Sequence, residues 1–149
     1  MEIHQSAVIL LLVLAAAFTA YGQPAHITLR YKNFLHQHLG PHVNERQCDS
    51  EISRRHITLA GNVCKPTNTF IQVNANNIRA VCGKGGTQHR DNRIRFTSNK
   101  PFFVVTCELQ SGKRYPKCVY GRGTGSTRNI VLECDEGWPV HYVESIING

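Results

Sequence analysis

Two histidines and a lysine, His38, His141 and Lys65, are the side chains of this sequence best suited to chemistry. Imidazole titrates near neutral pH, so one neutral ring can accept a proton while a second, protonated ring donates one. A lysine beside them supplies positive charge where negative charge builds up in a transition state. That set suits a phosphodiester with a hydroxyl next to the reacting phosphorus. The nucleophile is then already in the substrate, and the protein need only move protons and stabilise charge. Such chemistry needs no cofactor and no metal.

A lone histidine is more often structural than catalytic, so the case rests on the three residues together. Of the eight histidines, His26, His36, His42, His56 and His89 read as surface or loop residues. His36, His38 and His42 crowd one helix end, but they lack a carboxylate and match no recognised metal-ligand pattern.

The elements that must hold these residues follow from hydropathy patterning. From His26 to Leu39 the apolar residues Ile27, Tyr31, Phe34, Leu35 and Leu39 recur at three- and four-residue steps, which predicts an amphipathic helix that Pro41 ends. His38 borders its inward face, whereas His36 and Gln37 project elsewhere. Short helices are expected from Asp49 to Arg55, with Asp49 or Ser50 as N-cap, and from Asn74 to Cys82. Beyond Arg93 the texture changes to β-rich runs at Ile94–Phe96, Phe102–Leu109, Cys118–Gly121, Ile130–Cys134 and Val140–Ile147. Turn signals separate them at Ser111-Gly112, Gly121–Gly125 and Asp135–Gly137. Early helices and late antiparallel strands imply an α+β domain.

Residues Ala7 to Ala20 form an apolar run too short for a good membrane span. With the small residues Ala20 and Gly22 before the cut, residues 1–22 read as a secretory signal peptide and 23–149 as the mature domain. That leaves 127 residues (149 minus 22), the size of one domain. The formal charge of +7 becomes +8, because the removed segment carries Glu2 and no Lys or Arg. Such a charge favours polyanions, which include nucleic acid, heparin-like glycans and anionic microbial membranes.

All six cysteines lie in the mature part, and no C-x-x-C pair suggests zinc, so three disulfides are expected. Spacing alone leaves their pairing open.

The stretch Cys64-Lys65-Pro66-Thr67-Asn68-Thr69-Phe70 closely resembles the C-K-x-x-N-T-F signature of the pancreatic ribonuclease (ribonuclease A) superfamily. Phe34-Leu35-His36-Gln37-His38 resembles that family's first catalytic motif, and Pro139-Val140-His141-Tyr142 its last. Three motifs in the right order across the mature chain make the match specific.

The resemblance implies N-terminal helices packed on a twisted antiparallel β-sheet, and pairs Cys48 with Cys107, Cys64 with Cys118 and Cys82 with Cys134. It implies a secreted, monomeric endoribonuclease that cleaves single-stranded RNA to a 2′,3′-cyclic phosphate. His38 would be the base, His141 the acid and Lys65 the transition-state stabiliser. Gln37 would position the phosphate, Asn68 would support Lys65, Thr69 would pair with a pyrimidine through its backbone and hydroxyl groups, and Tyr142 would stack on the base or pack beside His141. The family's fourth disulfide is missing, which makes the chain resemble the angiogenin branch. By the same analogy Gly85–Arg93 becomes a candidate receptor-contacting loop, and Arg54-Arg55 resembles the start of a nuclear-targeting cluster.

Two positions depart from the pattern. Val143 stands where the family usually places an aspartate that orients the second histidine, and a nonpolar side chain cannot accept that hydrogen bond. Glu144 stands at the position that obstructs the pyrimidine site in angiogenins. Both point to a weakened enzyme. Angiogenic signalling through a receptor and charge-driven host defence are the readings that do not require catalysis.

Overall fold

The computed structural model describes residues 23–144. The signal peptide read at residues 1–22 and the end of the strand expected to reach Ile147 lie outside the described residues.

The first helix, α1 (Ala25–His38), buries Ile27, Phe34 and His38 and leaves Leu29 exposed. It stops at His38 because Leu39 turns extended and forms a bridge with Ile71, while Gly40 N–H donates to the Ile71 carbonyl. The end of α1 is thereby tied to the end of β1 (Thr67–Ile71).

The second helix, α2 (Cys48–Arg55), starts one residue before the expected Asp49. Neither Asp49 nor Ser50 caps it. A 3₁₀ turn at Glu45–Gln47 leads into it, closed by a capping box between Asn44 and Gln47. Asp49 instead accepts from the backbone N–H groups of Tyr120 and Gly121, at 2.6 and 3.1 Å. The segment Cys118–Gly121, expected as a strand, is an irregular arm held by this carboxylate and by a bridge from Val119 to Ser111. The third helix, α3 (Ala75–Ala80), is shorter than expected, and the side chain of Asn74 caps it by accepting from Asn77 N–H.

The expected antiparallel sheet is present as two. One contains β1, β4 (Phe102–Glu108) and β5 (Thr124–Arg128), with β4 in the centre. The other runs β2 (Gly86–Gln88), β3 (Arg95–Ser98), β6 (Val131–Asp135) and β7 (Trp138–Tyr142). Three strands escaped the sequence reading. β1 carries polar residues that are buried rather than alternating outward, β2 has only three residues, and β5 overlaps a glycine-rich loop signal. A Cβ at Gly125 in β5 would displace the Glu45 carboxylate and the Phe103 ring edge.

Helix α1 packs on β7 and β1, so it touches both sheets. One core cluster gathers Phe34, Ile78, Val104, Leu132 and Tyr142, and the other Ile52, Phe70, Val105 and Tyr120. The three disulfides join Cys48 to Cys107, Cys64 to Cys118 and Cys82 to Cys134, the pairing that the resemblance implies.

Candidate active site

The site forms where the C-terminal end of α1 meets β1 and β7. His38 is buried, with its ring between Phe34 and Tyr142 at centroid distances of 5.3 Å each. Its Nδ1 lies 2.7 Å from the Thr69 carbonyl. A carbonyl only accepts, so Nδ1 carries the hydrogen and Nε2 holds the lone pair. Burial, followed by the nearby charge of Lys65, lowers the pKa of His38 to about 3. The ring is therefore neutral near neutral pH.

Lys65 precedes β1, and its Nζ donates to Gln37 Oε1 at 2.8 Å and to Asn68 Oδ1 at 2.9 Å. Asn68 in turn donates from Nδ2 to the Gln37 carbonyl at 2.9 Å. Asn68 is fully buried and joins Lys65 to the helix end through these two hydrogen bonds. Burial lowers the Lys65 pKa, partly opposed by the Glu144 carboxylate. The Lys65 carbonyl accepts from the Tyr120 hydroxyl at 2.7 Å, so the backbone of the lysine is held as well as its ammonium. The sequence reading missed Tyr120, whose contact depends on the arm tethered by Asp49.

Beside Thr69 lies a pocket of about 260 Å³ lined by Thr67, Thr69, Thr106, Glu108, Arg128, Tyr142 and Glu144. Glu144 is the lining residue that engages Thr69. Its Oε1 accepts from Thr69 N–H at 2.9 Å and its Oε2 accepts from the Thr69 hydroxyl at 2.6 Å. These are the two groups that the resemblance assigns to the base of the substrate. Burial raises the Glu144 pKa, while the hydrogen bonds from Thr69 and the charge of Lys65 oppose that rise. Tyr142 is buried and packs on His38, and burial together with the Glu144 charge pushes its pKa up to about 12.

His141 sits on β7 with an exposed ring. Val143 offers it no partner, yet its Nδ1 lies 2.7 Å from Glu133 Oε1 on β6. The contact that Val143 cannot offer is thus made by a carboxylate on the neighbouring strand. Glu133 had no signal in the sequence, because only strand register brings it opposite His141.

The other histidines are placed elsewhere. His36 contacts the Arg55 carbonyl, His56 stacks on Tyr115 and His89 meets the Thr97 hydroxyl. Among the described residues the one grouping of metal-ligand type is His26, Asp135 and Glu136. It contains none of the site residues, and Asp135 already pairs with Arg30 at 2.8 Å.

Residues 29–143 match the family model for pancreatic ribonuclease. The chain is 48% identical over 149 residues to Ribonuclease-like 3 of Danio rerio, covering 99% of each. It is 42% identical over 125 residues to Angiogenin of Papio hamadryas, covering 82% of each. The X-ray structure of zebrafish RNase5 superposes with a TM-score of 0.78 at 49% identity, covering 83% of this chain and 99% of that one. The chain therefore belongs to the pancreatic ribonuclease family, within its angiogenin-like, three-disulfide branch, and is an endoribonuclease of the pancreatic type.

Proposed function

We propose that the protein is a secreted endoribonuclease of low turnover that cleaves single-stranded RNA after pyrimidines, leaving a 2′,3′-cyclic phosphate. His38 Nε2 takes the proton of the 2′-hydroxyl, and His141 gives one to the departing 5′-oxygen. Lys65 donates to the phosphoryl oxygens as negative charge grows there, with Gln37 positioning the phosphate. The observation that carries this reading is the bonded set Gln37, Lys65 and Asn68 beside a neutral, Thr69-bonded His38. Low turnover follows from the Glu144 carboxylate on the groups of Thr69 that a pyrimidine would use.

The test is cleavage of a short RNA with a single pyrimidine–purine step by the secreted protein beside His38→Ala and His141→Ala. Appearance of a cyclic phosphate that vanishes in both variants supports the reading. Cleavage that survives both removes it.

A second reading, angiogenic signalling through a cell-surface receptor, draws support from the angiogenin relatives and from the exposed Arg90 and Asp91 between β2 and β3. Replacing Arg90 and Asn92 should abolish endothelial tube formation and spare RNA cleavage. Unchanged tube formation would exclude that loop.

A further inference from the structure

A histidine, a glutamate and an arginine lie in line across the four-stranded sheet. His141 on β7 faces Glu133 on β6, and Glu133 faces Arg95 on β3. Residues directly opposite one another across a sheet project from the same face. The Glu133 carboxylate is bonded on both sides, from His141 Nδ1 to its Oε1 at 2.7 Å and from Arg95 Nε to its Oε2 at 3.2 Å. Partial burial raises the Glu133 pKa, but the hydrogen bonds from His141 and Arg95 more than offset this and hold it below the usual value. An ionised carboxylate has no hydrogen to give, so Nδ1 of His141 is the donor. Nε2 is the nitrogen left for substrate.

We propose that Glu133, braced by Arg95, is the positioning carboxylate of His141, and that His141 consequently protonates the leaving 5′-oxygen from Nε2. This rests on the reading of His141 as the general acid. In the step, the 2′-hydroxyl loses its proton to His38 Nε2 and the bond from the 2′-oxygen to phosphorus forms. The bond from phosphorus to the 5′-oxygen breaks, and the Nε2 proton of His141 ends on that oxygen. Glu133 stays ionised throughout. Its contribution is to fix the ring's orientation and to stabilise the imidazolium that exists before transfer.

The other ionisable groups whose charges interact with His141 are His38 on α1 and Glu144 just after β7. His38 is neutral, and the Glu144 carboxylate is engaged by the backbone and hydroxyl of Thr69. Among the described residues Glu133 is the carboxylate bonded to the ring.

Two measurements on the secreted, disulfide-bonded protein test the proposal. In the unsubstituted protein, ¹⁵N-resolved NMR of neutral His141 should show the tautomer with hydrogen on Nδ1. The Nε2–H tautomer would overturn the proposal without any variant having to fold. Kinetically, Glu133→Gln should lower kcat about 10- to 100-fold on a pyrimidine–purine dinucleotide, with KM little changed. On uridine 3′-(4-nitrophenyl phosphate), whose aryl oxide departs without a proton, the loss should shrink to about twofold or less.

An equal loss on both substrates would mean that Glu133 merely supports the fold, and a gain would mean that it holds the ring away from substrate. Either result sinks the proposal. His141→Ala run alongside separates the two levels. If it leaves dinucleotide cleavage intact, the general-acid reading fails and the proposal with it. If it abolishes cleavage while Glu133→Gln does not alter it, the role of Glu133 alone is wrong.

Discussion

The Nδ1–H of His38 donates to the carbonyl of Thr69 across 2.7 Å, joining the last residue of α1 to the middle of β1. A single hydrogen bond thus sets the tautomer of the proposed general base, and it links that ring to the residue whose backbone N–H and hydroxyl hold Glu144. In the proposed mechanism, proton abstraction and access to the nucleobase site meet at Thr69.

Stability should fall on acidification because of His38. The unfolded ring titrates near its ordinary value of 6.5, whereas in the folded state burial, then Lys65, lower it to about 3. Above pH 6.5 neither state binds the proton and the group is silent. Between 6.5 and about 3 only the unfolded state binds it, so folding loses about 1.4 kcal/mol per pH unit. Denaturant melts at several pH values should show that His38→Phe removes this part of the slope. An unchanged slope would refute the assignment. The same depressed pKa places the acidic limb of kcat/KM well below pH 6.5.

Removing the carboxylate bound to Thr69 should speed cleavage. Glu144 accepts two hydrogen bonds from Thr69, and a hydrogen bond to a charged group has a net worth of about 1.5 to 3 kcal/mol. Glu144→Ala should therefore raise kcat/KM on a pyrimidine dinucleotide by about tenfold or more. Glu144→Gln should give a smaller gain, since an amide can keep the contact but not the charge. Steady-state kinetics with no gain in either variant would show that the carboxylate does not limit access.

Lys65→Ala should cost about 100- to 1,000-fold in kcat, the effect of losing one preorganised donor to a developing charge. KM should change little. Because Lys65 also donates to Gln37 and Asn68, Lys65→Met should be measured beside it to keep the packing of the stem. A loss confined to KM would contradict transition-state stabilisation.

Tyr120→Phe probes the backbone support of the lysine. The hydroxyl donates to the Lys65 carbonyl at 2.7 Å, and the side chain is 1% exposed. Its loss should cost about 1 kcal/mol of stability by leaving the part-buried Lys65 carbonyl without this partner. Thermal unfolding reads this directly. A Tm indistinguishable from that of the unsubstituted protein would show that the contact adds nothing.

Much of this was legible in the sequence, and what was legible is local. The three- and four-residue spacing of Ile27, Tyr31, Phe34 and Leu35 predicts α1 and places His38 at its inward edge, because helix periodicity is written into consecutive residues. The run from Cys64 to Phe70 signals the lysine and its neighbours for the same reason. What escaped depends on partners distant in the chain. Thr67, Asn68 and Thr69 do not look like a strand until β4 pairs with them, and Asp49 does not cap α2 because Tyr120 and Gly121 take its carboxylate.

The pairing of Glu133 with His141 is the sharpest case. The β6–β7 ladder carries a register shift between Glu133 and Cys134, so Leu132 faces Tyr142 and Glu133 faces His141, whereas Cys134 faces Pro139. Without that bulge a one-residue slip would set Glu133 opposite Val140, on the wrong face of the sheet. The sequence by itself determined which side chains could move protons and on which kind of element the first of them sits. Only the tertiary structure decided which carboxylate reaches His141 and which group takes the N–H and hydroxyl of Thr69. Register and packing choose contacts between residues that no local pattern links.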